Sequence, residues 1–167
     1  MDSTTELIIN FIRSIGLKIE EATITGETVL PGIDIANGGL IYDPEKLLYP
    51  GDLLHEAGHL AVVSKAVRDS FDGPLDPKLD LEQAGELMAI PWSYAACLHL
   101  KIDPAVVFHP HGYHGGSESL LENFSQGRYI GVPMLEWIGM CYTSKQAEEL
   151  SEKPFPAMRN WVRAESI

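Results

Sequence analysis

The sequence predicts an α+β fold in which a small mixed or antiparallel sheet packs on helices. Three observations carry that prediction. Apolar residues recur at helical spacing near the N-terminus and again through most of the chain after residue 52. Between residues 18 and 43 the period shortens to that of strands, punctuated by Gly and Pro. A helix, then short strands, then a run of helices is the order of an α+β chain and not of repeated βαβ units.

Thr4 to Leu17 places Leu7, Ile8, Phe11, Ile12 and Ile15 on one side of a helix that Gly16 ends. Lys18 to Glu20 and Ala22 to Thr25 read as a first short strand. Thr28 to Leu30 and Ile33 to Ile35 read as a second, interrupted by Pro31-Gly32. Gly38-Gly39 turns the chain into a third, Gly39 to Tyr42. Asp52 to Arg68 has apolar residues at helical spacing, with Pro50-Gly51 just before it and Asp52 as its N-cap. Asp69 to Lys78 is loop, and Leu79 to Leu100 is a long helix that Pro91 kinks or divides. Asp103-Pro104 starts a short helix with Asp as the cap. His109 to Gly116 is an irregular loop. Ser117 to Phe124, Val132 to Met140, Ser144 to Leu150 and Pro156 to Arg163 complete the chain as helices.

At 167 residues, with ordinary hydrophobic and charged fractions, the chain is most simply one domain, 1–167, with a real core. A formal charge of −12 and no basic cluster argue against a nucleic-acid surface, since phosphate contacts need grouped Lys and Arg. No apolar run reaches membrane-spanning length, and the N-terminus lacks the basic and apolar regions of a signal peptide. The expectation is therefore a cytoplasmic protein with no membrane and no nucleic-acid partner; the oligomeric state is open. Cys97 and Cys141 form no metal-type pair and read as small buried hydrophobes. Trp92, Trp137 and Trp161 read as core or half-buried packing residues, and His99 as a structural histidine.

The most specific feature is His55-Glu56-Ala57-Gly58-His59. On a helix, positions i and i+4 share a face, so both imidazoles can reach one tetrahedral zinc ion, and Glu56 projects close enough to act as a general base. The alternative is a buried helix whose two His are hydrogen-bonded core residues. A catalytic zinc takes a third protein ligand and keeps one position open. A third His six residues after His59 is absent, because that position is Lys65. Glu82 and Glu86, one turn apart on the next long helix, are the better sources, with Ala84, Gly85 and Ala89 small enough to let two helices approach. One carboxylate can bind zinc while the other accepts a hydrogen bond from the outer nitrogen of a ligand His. We assign Glu82 as the ligand and Glu86 to the supporting role; spacing alone leaves the reverse open, with Glu86 as an alternative ligand.

His55-Glu56-Ala57-Gly58-His59, followed by Glu82-Gln83-Ala84-Gly85-Glu86-Leu87-Met88-Ala89-Ile90-Pro91, resembles the gluzincin metallopeptidases and is similar to the small ImmA/IrrE type. That pattern runs H-E-x-x-H and then E-x-x-A-N-x-F-A with a Pro soon after. Its register sets Glu82 at the ligand, Gly85 at the Ala, Glu86 at the Asn and Met88-Ala89 at Phe-Ala, so three positions depart from it. The resemblance spans about Leu30 to Leu100 and implies a zincin-like fold, bound Zn2+ and a peptide or protein substrate.

Half of the six His lie in His109 to Gly116. Such a loop can line the zinc site, hold a second and weaker metal, or be an ordinary surface loop. On the first reading His111, Tyr113 or His114 touches substrate, with His114 the leading donor to a developing oxyanion. Arg128 and Tyr129 are lesser candidates for anchoring a substrate carboxylate. An extended substrate can also add to a free sheet edge, for which Gly39 to Tyr42 is the candidate. The expected function is a zinc-dependent hydrolase, most simply a peptidase with Glu56 as base. The rival is a catalytically inactive zinc-binding regulatory or interaction domain.

Overall fold

The computed structural model describes residues 2–165, with the side chains of residues 81–83 outside that description. The first helix, α1 (Ser3–Ser14), starts where the Asp2 carboxylate accepts the amides of Thr4 and Thr5, at 2.9 and 3.1 Å. Such a cap stabilises by about 1 kcal/mol. The helix stops earlier than its apolar pattern suggests. Gly16 takes φ of 90° and donates to Arg13, while Leu17 donates to Ile12, the paired bonds that close a helix at a left-handed glycine. Ile8, Ile9, Phe11 and Ile12 are buried, as the spacing requires.

Three strands follow: β1 (Ile19–Glu21), β2 (Ile33–Ala36) and β3 (Gly39–Tyr42). They form a mixed sheet in the order β1-β3-β2, with β1 parallel and β2 antiparallel to β3. The first two are shorter than expected. Thr28 to Leu30 is not strand, and only an isolated bridge from Leu30 to Ile33 joins it to β2. The β2–β3 turn is made by Asn37 and Gly38, with φ of 49° and 71°, rather than by Gly38-Gly39. Positive φ at both central residues is what a two-residue hairpin matched to strand twist demands, and Asn-Gly supplies it.

The next helix, α2 (Pro50–Val62), begins with Pro50 in its first turn and Tyr49 at the cap position. Asp52 is therefore not the N-cap: it lies one turn inside and points into the protein. Leu53, Leu54 and Leu60 are fully buried, each stabilising by about 1.5–3 kcal/mol. The expected helix to Arg68 is two helices, because Ser64 caps a separate α3 (Lys65–Asp69) through the Val67 amide.

The stretch expected as one helix from Leu79 is also divided, but not at Pro91. The break is Ala84, at φ 52° and ψ 33°, between α4 (Pro77–Gln83) and α5 (Gly85–Leu100). Pro91 sits inside α5, and the Leu87 carbonyl four residues before it is met by Gly131, where a side chain would come within 2.0 Å. Across the core α2 packs on α5 so closely that a Cβ on Gly58 would lie 3.2 Å from Ala89 Cα. The small residues anticipated for close helix approach do allow it here.

Asp103 caps a short 3₁₀ turn, Pro104–Val106, and a second 3₁₀ turn, Tyr113–Gly115, lies in the His-rich loop. Three helices complete the set of eight among the described residues: α6 (Ser117–Ser125), α7 (Val132–Trp137) and α8 (Ser144–Leu150). The expected last helix, Pro156 to Arg163, does not form. That segment runs irregularly over the core, where Trp161 O accepts Trp92 Nε1–H at 2.9 Å and Arg163 N donates to Ala61 O at 2.8 Å. Trp92 is buried, but Trp137 is 85% exposed and not a packing residue. The ring of His99 packs against those of Phe11 and Trp161. Cys97 and Cys141 are buried free thiols, both pushed up to about 12 by burial, which removes them as nucleophiles. No described helix is long and apolar enough to cross a membrane.

Candidate metal centre

The helix α2 carries His55, Glu56 and His59 to the floor of a cleft of about 540 Å³. Residues of β2 and of the preceding loop form one wall, and Pro74, Leu75 and Pro77 another. His55 Nε2 and His59 Nε2 lie 3.1 Å apart, and both face Glu86 Oε2, at 3.3 and 3.0 Å. Bonds of about 2.0–2.1 Å in a tetrahedral site set ligand atoms about 3.3 Å from each other, so these three atoms have a spacing that could hold one metal ion. Glu56 offers a carboxylate oxygen within 4.8 Å of both His nitrogens.

The site holds together electrostatically. His59 is buried, which disfavours its charged form, but Asp80 Oδ1 at 2.8 Å from Nδ1 and Glu86 at Nε2 outweigh burial and raise it to about 10. Burial also works against an ionised Glu86, yet hydrogen bonds from His55 and His59 hold it well below the usual carboxylate range. Glu56 has no such donor: burial raises it above an ordinary glutamate despite the two His nearby. The two carboxylates are thus driven apart, Glu86 toward its ionised form and Glu56 away from it.

The outer nitrogen of each His is also held. Asp80, from α4, takes Nδ1 of His59, and the phenol of Tyr113 lies 2.7 Å from Nδ1 of His55. Asp80 is positioned by a second bond, its Oδ2 accepting the Glu86 amide at 3.1 Å. Gly85 makes room for this, because a Cβ there would fall 2.2 Å from Asp80 Oδ1 and 3.2 Å from His59 Nδ1. Asp80 escaped sequence reasoning, because its place at His59 depends on the break at Ala84 that the helical pattern did not show.

The other expected site residues divide. The side chain of Glu82 lies outside the described residues. His114 lines the cleft. Tyr113 is committed to His55. His111 lies with its ring 5.6 Å from that of Tyr49 and is not among the lining residues. Arg128 is at the far end of α6, bonded to Asn123 Oδ1 at 2.7 Å and Gln126 Oε1 at 2.5 Å. Tyr129 packs on Phe155 and Phe124. His109 is buried against α2, with Nε2 2.9 Å from Asp52 Oδ1, a pair that the sequence did not suggest.

The sheet edge beside the cleft is not Gly39 to Tyr42. That strand is central and paired on both sides, and β2 is the edge that lines the cleft. Its backbone is already engaged: Ile33 N donates to Leu30 O, Ile35 N to Asp34 Oδ1 at 2.8 Å, and Ile35 O accepts Gly73 N at 2.6 Å.

Comparison with protein-family models, with curated proteins and with solved structures finds no match for this chain.

Proposed function

We propose that this chain is a zinc-dependent hydrolase acting on the amide bond of a peptide or protein. The observation that carries the reading is the convergence of His55 Nε2, His59 Nε2 and Glu86 Oε2 beside Glu56 at the floor of an open cleft. His55, His59 and Glu86 would hold the ion, so the alternative with Glu86 as ligand is preferred to the assignment of Glu82, and Asp80 takes the supporting role. A zinc ion held there would supply Lewis-acid activation, lowering the pKa of water to about 7. Glu56 takes the proton from the attacking water at its carboxylate and delivers it to the leaving nitrogen. His114 is the candidate donor to the developing oxyanion, supported by its place among the cleft-lining residues.

The test is Glu56→Gln, assayed against a peptide and protein substrate screen with and without chelator. The variant is expected to keep stoichiometric zinc and to lose turnover. Cleavage retained in the variant would rule out Glu56 as the base.

One observation favours a second reading, a zinc-bearing regulatory or interaction domain without turnover. Both backbone groups of Ile35 and the amide of Ile33 are already bonded within the chain, so β2 offers an extended substrate little to pair with. Stoichiometric zinc that raises the melting temperature, with no cleavage of any substrate in the screen, selects this reading.

A further inference from the structure

The His-rich loop bonds to a histidine of the candidate metal centre through the phenolic oxygen of Tyr113, 2.7 Å from His55 Nδ1. The two rings stand at 86° with centroids 5.2 Å apart, so the phenol meets the imidazole edge rather than its face. To deliver it, the chain adopts three successive left-handed residues: Tyr113, His114 and Gly115, with φ of 53°, 50° and 83°. Only the glycine does so without steric cost; each of the other two costs about 1–2 kcal/mol. Such a conformation persists where the surroundings over-determine it.

Here they do. Ser117 Oγ donates to His109 O at 2.6 Å, Gly112 N donates to the same carbonyl at 3.0 Å, and Gly116 N closes the turn onto Tyr113 O at 2.9 Å. His109 itself is clamped between Asp52, at 2.9 Å, and the Tyr49 ring, stacked at 4.2 Å. Asp52 and His55 stand three residues apart on α2, so they share a helix face. The same stretch of α2 thus holds the loop at His109 and is held by it at His55. The same turn carries Tyr113 to His55 and leaves His114 in the cleft lining.

We infer that Tyr113 is a positioning residue, not a substrate contact: its phenol accepts the Nδ1 proton of His55 and so fixes the tautomer and ring angle that present Nε2 to a divalent cation of the zinc class. The inference rests on the metal-site reading above. The two His are then braced unequally, His59 by a carboxylate and His55 by a phenol. A phenol is a neutral donor or acceptor, so this brace adds no charge. A carboxylate on each His would leave the centre more negative and less able to activate water.

The experiment is zinc titration of the full chain against a competing chromophoric chelator, wild type beside Tyr113→Phe, with imidazole tautomers read by nitrogen-15 NMR. Removing a hydrogen bond to a metal-ligand His typically weakens binding about 10–100-fold, and that loss is expected here with the metal-free melting temperature little changed. The wild-type spectrum should show His55 protonated at Nδ1, and the variant a mixture. Wild-type zinc affinity in Y113F overturns the inference, whether or not a peptide KM rises. If the variant does not fold, the zinc-loaded wild type decides alone: a His55 protonated at Nδ1 sustains the inference, and one bound through Nδ1 ends it. Wild type that takes up no zinc overturns the metal-site reading and this inference together.

Discussion

At the scale of single residues, the proposed metal site turns on which glutamate serves as its third ligand. Glu86 Oε2 already stands at ligand spacing from both imidazoles and is held ionised by them. Glu86→Gln is therefore expected to weaken zinc binding by more than about 100-fold, beyond the range of losses around a site whose ligands stay intact. Glu82→Gln should change it less than threefold; the reverse ranking, in the same chelator competition, would restore the assignment made from spacing. The His55–Glu56–His59 set was legible because it is local: a helix alone brings i and i+4 together. The third donor was not, because its place depends on the direction in which the chain leaves Ala84. In a continuous helix Glu82 and Glu86 share one face. With Ala84 left-handed they belong to different helices, and among the described side chains Asp80 and Glu86 are the carboxylates bonded to His59.

Elements explain where the fold departs from its pattern. Apolar periodicity located α1, α2, α5, α6, α7 and α8, with both ends of α8 as expected; the ends it missed are set by single residues: the Ser64 hydroxyl on Val67, Gly16 on Arg13, the Ala84 break. Asn37-Gly38 was a readable hairpin signal, whereas the Pro156 to Arg163 segment shows helical spacing and yet stays irregular under tertiary contacts with Trp92 and Ala61. The α4–α5 junction is the element on which the site depends most. A methyl group at Gly85 would overlap Asp80 Oδ1, so the Asp80 side chain must swing away from His59. Gly85→Ala is expected to cost about 10–100-fold in zinc affinity by removing that support, although alanine is the better helix former. The metal-free protein should lose little stability, because the displaced group is the end of a side chain. If the melting temperature drops while zinc affinity holds, Gly85 serves helix packing and not the site.

For the molecule as a whole, the candidate centre ties stability to both metal and protons. Zinc at 100 times its dissociation constant stabilises a folded chain by about 2.7 kcal/mol, which for a chain of this size raises the melting temperature by roughly 5–10 °C. Protons compete for the same place. In chelator-stripped protein His59 is opposed by burial but raised to about 10 by Asp80 and Glu86, against 6.5 for a free histidine. A group raised in the folded state stabilises it fully below its unfolded value, and the contribution fades as pH climbs through the folded one. The stripped protein should thus lose this contribution between about pH 6.5 and 10. A zinc-loaded chain should not, since the His59 nitrogen that gave up its proton is held by the ion. The gap between loaded and stripped melting temperatures is then expected to widen with pH across that interval. Paired thermal melts at fixed excess zinc or chelator measure it directly, with Glu86→Gln as the control in which the widening should shrink. A gap that stays constant from pH 6.5 to 10 would mean that metal and proton do not meet at His59, and that the buried cluster serves the core rather than an ion.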